Sequence, residues 1–305
     1  MLAYVVRRLL WLIPVLFVVA AITFTLMHMV PGGPWDRAKR LPPQAQANVE
    51  RKYGLDKPAW RQFSDYMIQL AQGDLGVSYQ QLNRPVRAII WDGAKTSGTL
   101  GLIALAVAIF AGIGLGLLAA LRQNTVLDYL SVTFATFGAS VPAFVLGMLL
   151  LILFSAYLHW LPTGGWGTWR QAVMPVTALS VLPTAYIARV TRAAMLEVLQ
   201  QDYIRTARSK GLRENVVVLR HLVRNGLIPV LTVLGPVAAA LVTGSFIIEY
   251  LFDIPGIGRY FVTSISARDY GMIMGTTLFY TTVVVVANLI VDILYAVVDP
   301  RIRYN

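Results

Sequence analysis

The chain has 305 residues, 57% of them hydrophobic and only 13% charged, with a mean hydropathy of +0.63. Soluble domains carry about 25% charged residues, so this composition excludes an ordinary soluble protein and points to long membrane-embedded segments. The formal net charge of +11 suits a nucleic acid or a membrane surface, so its placement must decide; the absence of cysteine excludes disulfides and thiolate metal sites, and three scattered histidines argue against a dedicated metal centre.

The first apolar run, Leu9–Val30, follows Arg7 and Arg8. At about 22 residues it exceeds a signal-peptide core and matches a membrane crossing, so it predicts an uncleaved first span. The loop Pro31–Ser97 comes next. Pro43 followed by QAQANVERKYG predicts a short helix closed by Gly54. DKPAWRQFSDYMIQLAQG predicts a second, with Asp56 as cap, Pro58 in the first turn and Gly73 as terminator. Phe63, Tyr66, Met67 and Leu70 form its apolar face, suited to packing on the bundle or on a partner. Five further apolar segments predict spans at Gly98–Leu121, Val126–Tyr157, Ala172–Leu196, Leu227–Leu251 and Met272–Val298. Val126–Tyr157 is longer than one crossing needs and carries Gly138, Pro142 and Gly147, so it is tilted, kinked or extends beyond the membrane. No strand-like alternation occurs, and the fold class expected is an all-α integral membrane protein of six transmembrane helices. Its expected parts are residues 1–30, a first span; 31–97, an extracytoplasmic loop region with two short helices; and 98–305, a five-span core with a cytoplasmic loop at 197–226.

Lys and Arg in short loops orient such a bundle. With the N-terminus inside, the cytoplasmic segments carry Arg7, Arg8, Arg122, Arg189, Arg192, Arg301 and Arg303 plus six basic residues between spans four and five; the two short outer loops hold only Arg170, Arg259 and Arg268. The loop 31–97 carries ten more, enough to cancel the bias if counted, but at about 67 residues it exceeds the reach of the rule. Both termini are expected to be cytoplasmic.

The six basic residues lie in DYIRTARSKGLRENVVVLRHLVRNGLIP, residues 202–229. Two helical pieces are predicted on either side of Gly211-Leu212. The first sets Tyr203, Ile204 and Ala207 along one side, with Arg205, Arg208 and Lys210 around it. The second has Val216, Leu219 and Val223 on one face and Arg220 and Arg224 on another. Such a stretch suits docking in a protein groove. It equally suits positive-inside bias with attraction to anionic lipid, at about 1 kcal/mol per basic residue.

This stretch resembles the cytoplasmic loop motif of permease subunits of bacterial ATP-binding-cassette importers: Ala207, Gly211 and Pro229 match it. Arg205 and Thr206 at its first positions, and the longer gap to Pro229, are similar to the peptide and nickel branch. HMVPGGPW, YGLDKPAWRQF, GDLGVS, FDIPGIGRYF, ARDYG and VDILYAVVDPRIRY resemble the same branch, while LPPQAQANVERKYG and LHWLPTGGW look most like the first (B-type) permease of oligopeptide importers. The resemblance implies a permease that moves oligopeptides into the cell by alternating access. Its implied partners are a second permease subunit, two cytoplasmic ATPases and an extracytoplasmic substrate-binding protein. Asp202, Tyr203, Ile204, Arg205, Thr206, Ala207, Arg208, Lys210, Gly211 and Leu212 would form the coupling helix seated on one ATPase. Tyr203, Ile204 and Ala207 would supply buried contact, Arg205, Arg208 and Lys210 rim charge, and Gly211 a backbone angle or a close approach.

No Gly-x-x-x-x-Gly-Lys-Ser/Thr phosphate cradle occurs. The expectation is therefore no catalytic residue, metal or cofactor in this chain, with ATP and Mg bound by partner subunits. Gly112 and Gly116 form a small-xxx-small face for close helix packing. Pro142 and Pro183 are candidates for the transport path, although Pro142, Pro175 and Pro183 also read as plain kinks. Asp292, one turn beyond Asn288, is an intramembrane carboxylate and so a functional candidate, yet its position about 10 Å from the helix end suits structural pairing. His28, Trp11, Trp160, Trp166 and Trp169 read as interfacial, and Glu249 and Asp253 as outer residues within reach of a partner. A secondary carrier or channel would need midplane coupling groups, usually on inverted repeats, and none is evident. An intramembrane enzyme would need a His-Glu-x-x-His, paired-Asp or Ser-His site, and these are also lacking. Within the family, dipeptide, nickel, glutathione or another small solute remains open as cargo.

Overall fold

The structure is a computed structural model; it describes residues 2–30, 54–81, 84–242 and 245–298. The predicted helix from Pro43 to Gly54 and most of the HMVPGGPW and terminal DPRIRY motifs lie outside the described residues.

In chain order the helices are α1 (Leu2–Met29), α2 (Ala59–Ala71), α3 (Val86–Leu121), α4 (Val126–Ser140), α5 (Ala143–Tyr157, with π-helical geometry from Leu151), α6 (Trp169–Leu199), α7 (Asp202–Ser209), α8 (Glu214–Gly226), α9 (Ile228–Val242), α10 (Phe246–Leu251), α11 (Ile257–Ala267) and α12 (Tyr270–Val298). Among the described residues four are long and apolar enough to cross a membrane, and up to six crossings result if each bent pair counts as one. Two sequence boundaries need correction, and the kink expected within Val126–Tyr157 is present. The second span begins at Val86, not Gly98, because Arg87, Asp92 and Lys95 depress the hydropathy of its first turns without breaking the helix. Val126–Tyr157 is two helices bent by 103°. Pro142 has no N–H to continue α4 and becomes the N-cap of α5 (φ −58°, ψ 139°), while Val141 before it is forced extended (φ −95°, ψ 120°). Leu227–Leu251 is likewise divided, into α9 and α10; Ser245 caps α10, its hydroxyl accepting from the Ile248 N–H.

The chain forms two compact units. The first comprises residues 1–97 and 255–286. Here the predicted face of α2 is correct: Phe63, Tyr66, Met67 and Leu70 pack with Ala20 and Met27 of α1 and Ile273, Met274 and Leu278 of α12, so this helix belongs to the bundle. Its cap is Pro58, with no side-chain cap bond, which corrects the Asp56 assignment. Burial pushes the Tyr66 phenol well above its ordinary pKa. Two of the sequence motifs meet in this unit. Buried Asp269 of ARDYG accepts hydrogen bonds from the Ser78 hydroxyl, the Tyr79 N–H (3.1 Å), the Gln80 N–H (3.3 Å) and its own helix's Met272 N–H (3.2 Å). Gly271 lets the Val77 carbonyl of GDLGVS lie against α12 where any Cβ would collide.

The second unit comprises residues 98–254 and 287–305, arranged around α6. Pro175 and Pro183 lie inside α6 without ending it. Gly112 and Gly116 bring α3 onto α6: a Cβ at Gly116 would stand 2.5 Å from both the Ala188 oxygen and Thr191 Cβ, which is the close packing their spacing predicts. Leu100, Met174, Ala178, Ile248 and Phe252 form the main buried cluster. A second motif pairing occurs here, between LPTGGW and FDIP: the Gly165 N–H donates to the Phe252 oxygen (2.8 Å), with Gly164 pressed against the same carbonyl. Glu249 is fully buried on α10, so its suggested contact with a partner does not hold, whereas Asp253 is exposed.

Two substitutions test this packing. Gly116→Ala is expected to lower stability by about 1–3 kcal/mol through overpacking, read as a fall in the thermal unfolding midpoint in detergent; Gly114→Ala, where the new methyl meets nothing within 4 Å, leaves it unchanged or higher. Asp269→Ala strands buried donors, at about 1–3 kcal/mol, and is expected to increase proteolysis within residues 74–81.

Candidate functional site

The segment between α6 and α9 is built in three steps. Helix α7 begins after Gln201, whose carbonyl accepts from the Ile204 N–H (3.0 Å), and the Thr206 hydroxyl donates to the Asp202 oxygen (3.0 Å). It ends in a paired closure: the Gly211 N–H donates to Arg208 O (2.9 Å) and the Leu212 N–H to Ala207 O (3.3 Å), the pattern of a Schellman cap. Gly211 sits at φ +76° with open space where a Cβ would go. Of the two reasons for glycine offered by the sequence, the backbone angle is present in this chain. Arg213 then starts α8, its carbonyl accepting from Val216 and Val217.

A bidentate pair closes this turn, Arg208 Nη2 at 2.6 Å and Nε at 3.2 Å from the Glu214 carboxylate. Both side chains are half-exposed, so the pair sets geometry more than it adds stability. The Asn225 amide donates to the Tyr203 hydroxyl (3.3 Å), a second tie between α7 and α8.

The buried faces differ from the predicted ones. Ile204 and Ala207 are buried against Val217 and Val198; they are used inside the chain and are not available as contacts for a partner. Tyr203 remains 42% exposed. In α8 the predicted Val216, Leu219, Val223 face is replaced by Val217 and Leu222, both fully buried, while Leu219 is exposed. Val217–Val223 is π-helical, and a π-helix repeats contacts at i+5 in place of i+4. A reading at the α-helical period misses that shift. Leu222 packs with Met195 of α6 and Ala120 of α3, and Gly226 lies against the Met195 sulfur.

Asp202, Tyr203, Arg205, Thr206, Arg208, Lys210, Gly211 and Leu212 therefore form a continuous exposed surface on a firmly seated base. Arg205 has a loose contact with Asp202 (3.6 Å) on that surface. Pro142, Pro183 and Asp292 are not part of it: Pro142 makes the α4–α5 break, Pro183 lies within α6 and Asp292 is half-buried on α12. Among the described residues no three His, Asp or Glu converge as metal ligands.

Sequence reasoning missed the ion pair that joins α4 to α6. Arg192 of α6 donates through Nε (2.6 Å) and Nη2 (2.8 Å) to buried Asp128 of α4, which also accepts from the Asn124 N–H (3.0 Å). The available signal was one acid and one arginine placed near the same ends of consecutive predicted spans.

Residues 112–304 match the family model described as a binding-protein-dependent transport system inner membrane component, and residues 1–94 match the model of its N-terminal region. The chain belongs to this family. It is a multi-pass inner-membrane transport component. It is 40% identical to the oligopeptide transport system permease protein OppB of Haemophilus influenzae and 41% identical to that of Escherichia coli K12, in each case over the whole of both chains. It is also 41% identical to the dipeptide permease DppB of Bacillus subtilis, over 99% of this chain and 98% of the other. Among solved structures, a chain of the inward-facing MetNI methionine ABC transporter aligns with a TM-score of 0.57 at 15% identity, covering 72% of this chain and 100% of that one. A chain of an amino acid ABC transporter aligns at 0.55 and 15%, covering 71% and 95%. The fold is thus that of ABC importer permeases.

Gly211→Ala is expected to cost about 1–2 kcal/mol because an L-residue resists the left-handed region, detected as faster amide exchange across residues 207–214. Ile204→Ala, which empties a fully buried position, is expected to free α7 altogether, at about 2–5 kcal/mol.

Proposed function

We propose that the chain is one of two permease subunits of an ATP-driven oligopeptide importer, and that α7 is the coupling helix received by a groove on a partner ATPase. What supports the reading is a short helix, held from behind by Ile204 and Ala207, that presents Tyr203, Arg205, Lys210 and Leu212 outward, in a chain matched end to end by oligopeptide permeases. The base ties this helix to the ends of α3 and α6 through Leu222, Met195 and Ala120, so a push on α7 is passed to spanning helices without being absorbed in a flexible loop. Closure of the ATPases would rock the spans from inward-facing to outward-facing. ATP and Mg are held by the partner subunits, this chain contributes no catalytic residue, and a substrate-binding protein delivers cargo on the far side. Both termini are cytoplasmic. Arg205 and Lys210 supply charge at the rim of the contact and set its register.

Charge reversal tests the docking. Lys210→Glu combined with Arg205→Glu is expected to reduce peptide uptake about tenfold or more, the consequence of losing on the order of 1.4 kcal/mol of association, while the chain's level in the membrane stays unchanged. Gly211→Asp is expected to uncouple ATP hydrolysis from uptake. Normal uptake by both variants would refute the assignment.

A dipeptide cargo is the second reading, favoured by the DppB relatives at 41% and 43% identity. Competition for uptake between a dipeptide and a longer peptide separates the two: stronger competition by the longer peptide is expected, and the reverse supports dipeptide transport.

A further inference from the structure

A cleft of about 280 Å³ lies between α3, α4 and α6, bordered by Gly116, Ser131, Thr136, Ala188, Arg189 and Arg192. Its two arginines are not equivalent. Arg192 is neutralised by its bidentate pair with Asp128. Arg189, three residues earlier on the same helix, donates to the Ala135 carbonyl (3.4 Å) and faces no acidic side chain among the described residues. The cleft thus carries one uncompensated guanidinium, and Arg192 keeps Nη1 outside its pair. The Ser131 and Thr136 hydroxyls donate to Leu127 O and Val132 O of their own helix (both 2.9 Å), which leaves their oxygens able to accept. Gly116, Ala119, Ala188 and Ala193 line much of the rest, and their small side chains leave room for a compact anion.

Depth identifies the source of that anion. Trp169, 72% exposed, opens α6, and an exposed tryptophan at the end of a spanning helix suits a membrane boundary. Arg189 follows 20 positions later, about 30 Å along the axis at 1.5 Å per residue, which is the thickness of the hydrocarbon core. On α3 the cleft residues Gly116 and Ala119 stand two to five positions from its end at Leu121, and on α4 Ser131 and Thr136 stand five to ten positions from its start at Val126. From this level a guanidinium on a long side chain reaches toward the nearer interface, where lipid headgroups would meet it.

We propose that the cleft is a binding site for an anionic phospholipid, with Arg189 pairing the phosphodiester, Arg192 Nη1 assisting, and headgroup hydroxyls donating to Ser131 and Thr136. Phosphatidylglycerol has this chemistry; phosphatidylcholine has the phosphate but a compensating cation and no hydroxyl. In the orientation proposed above the site lies in the cytoplasmic leaflet, but the site itself does not depend on that reading. An occupied site would hold α4 against α6 beside the Asp128–Arg192 pair.

The test uses the full chain, with any subunits that remain bound, extracted in neutral detergent and stripped of lipid. Phosphatidylglycerol, phosphatidylcholine and inorganic phosphate are added separately; the thermal unfolding midpoint is measured and retained lipid is counted by native mass spectrometry. Phosphatidylglycerol is expected to raise the midpoint by several degrees and to remain bound, with neither effect from the other two additions. Arg189→Gln is expected to lose both effects while unfolding at the unliganded midpoint, Arg189→Lys to keep part of the shift, and Ser131→Phe to exclude the lipid with both arginines intact. The proposal is overturned if Arg189→Gln retains phosphatidylglycerol as the unsubstituted chain does, if phosphatidylcholine stabilises equally, or if inorganic phosphate reproduces the shift, which would mark a site for soluble anions.

Discussion

Close backbone approach to α6 is the constraint on which the second unit depends. Inside a bilayer, lipid tails are as apolar as leucine, so helices gain little by burying large side chains and associate where small residues admit dense contact. Gly112 and Gly116 do this for α3, Gly138 does it for α4 against Val181 and Ala185, and Gly226 does it for α8 against Met195. Polar adhesion is added where it is fully satisfied: the Asp128 carboxylate receives two bonds from Arg192 and one from Asn124. α6 therefore acts as a mast to which α3, the broken third span and the base of the α7–α8 segment are attached. Its two prolines lie within the helix without ending it.

The candidate coupling surface follows from that arrangement. A lone eight-residue helix such as α7 is marginal in water. It persists because Ile204 and Ala207 are buried against Val217, because Gly211 accepts the left-handed turn that reverses the chain, and because the Arg208–Glu214 pair spans that turn. The π-helical segment places Val217 and Leu222 on one side, five positions apart, so the same short piece grips α7 with one residue and the end of α6 with the other. The packed base leaves polar and aromatic side chains exposed on the surface, the arrangement that suits a docking helix.

The motifs that mark the peptide branch have a structural explanation independent of cargo. GDLGVS and ARDYG hold each other through Asp269 and the Gly271 contact, and LPTGGW and FDIPGIG hold each other through the Phe252 carbonyl. Each pairing joins segments far apart in the chain by hydrogen bonds that need particular small or polar residues, which explains why such short strings are distinctive. They record how the loops are tied down.

Hydropathy and local period determined the number and approximate position of the apolar segments, the amphipathic face of α2, the α3 small-residue stripe and the two-piece loop about Gly211, because each depends on residues within a turn or two of one another. Tertiary structure alone decided the rest. The extension of α3 to Val86 is invisible to hydropathy because polar residues outside the hydrocarbon core are as helical as apolar ones inside it. The 103° break at Pro142 depends on what the freed helix ends pack against. The burial of Val217 and Leu222 in place of Val216, Leu219 and Val223 depends on a π-helical period, and the Asp128–Arg192 pair on the approach of two helices. An amphipathic pattern states that one face will be covered; only the packed chain determines whether its own residues or a partner's cover it.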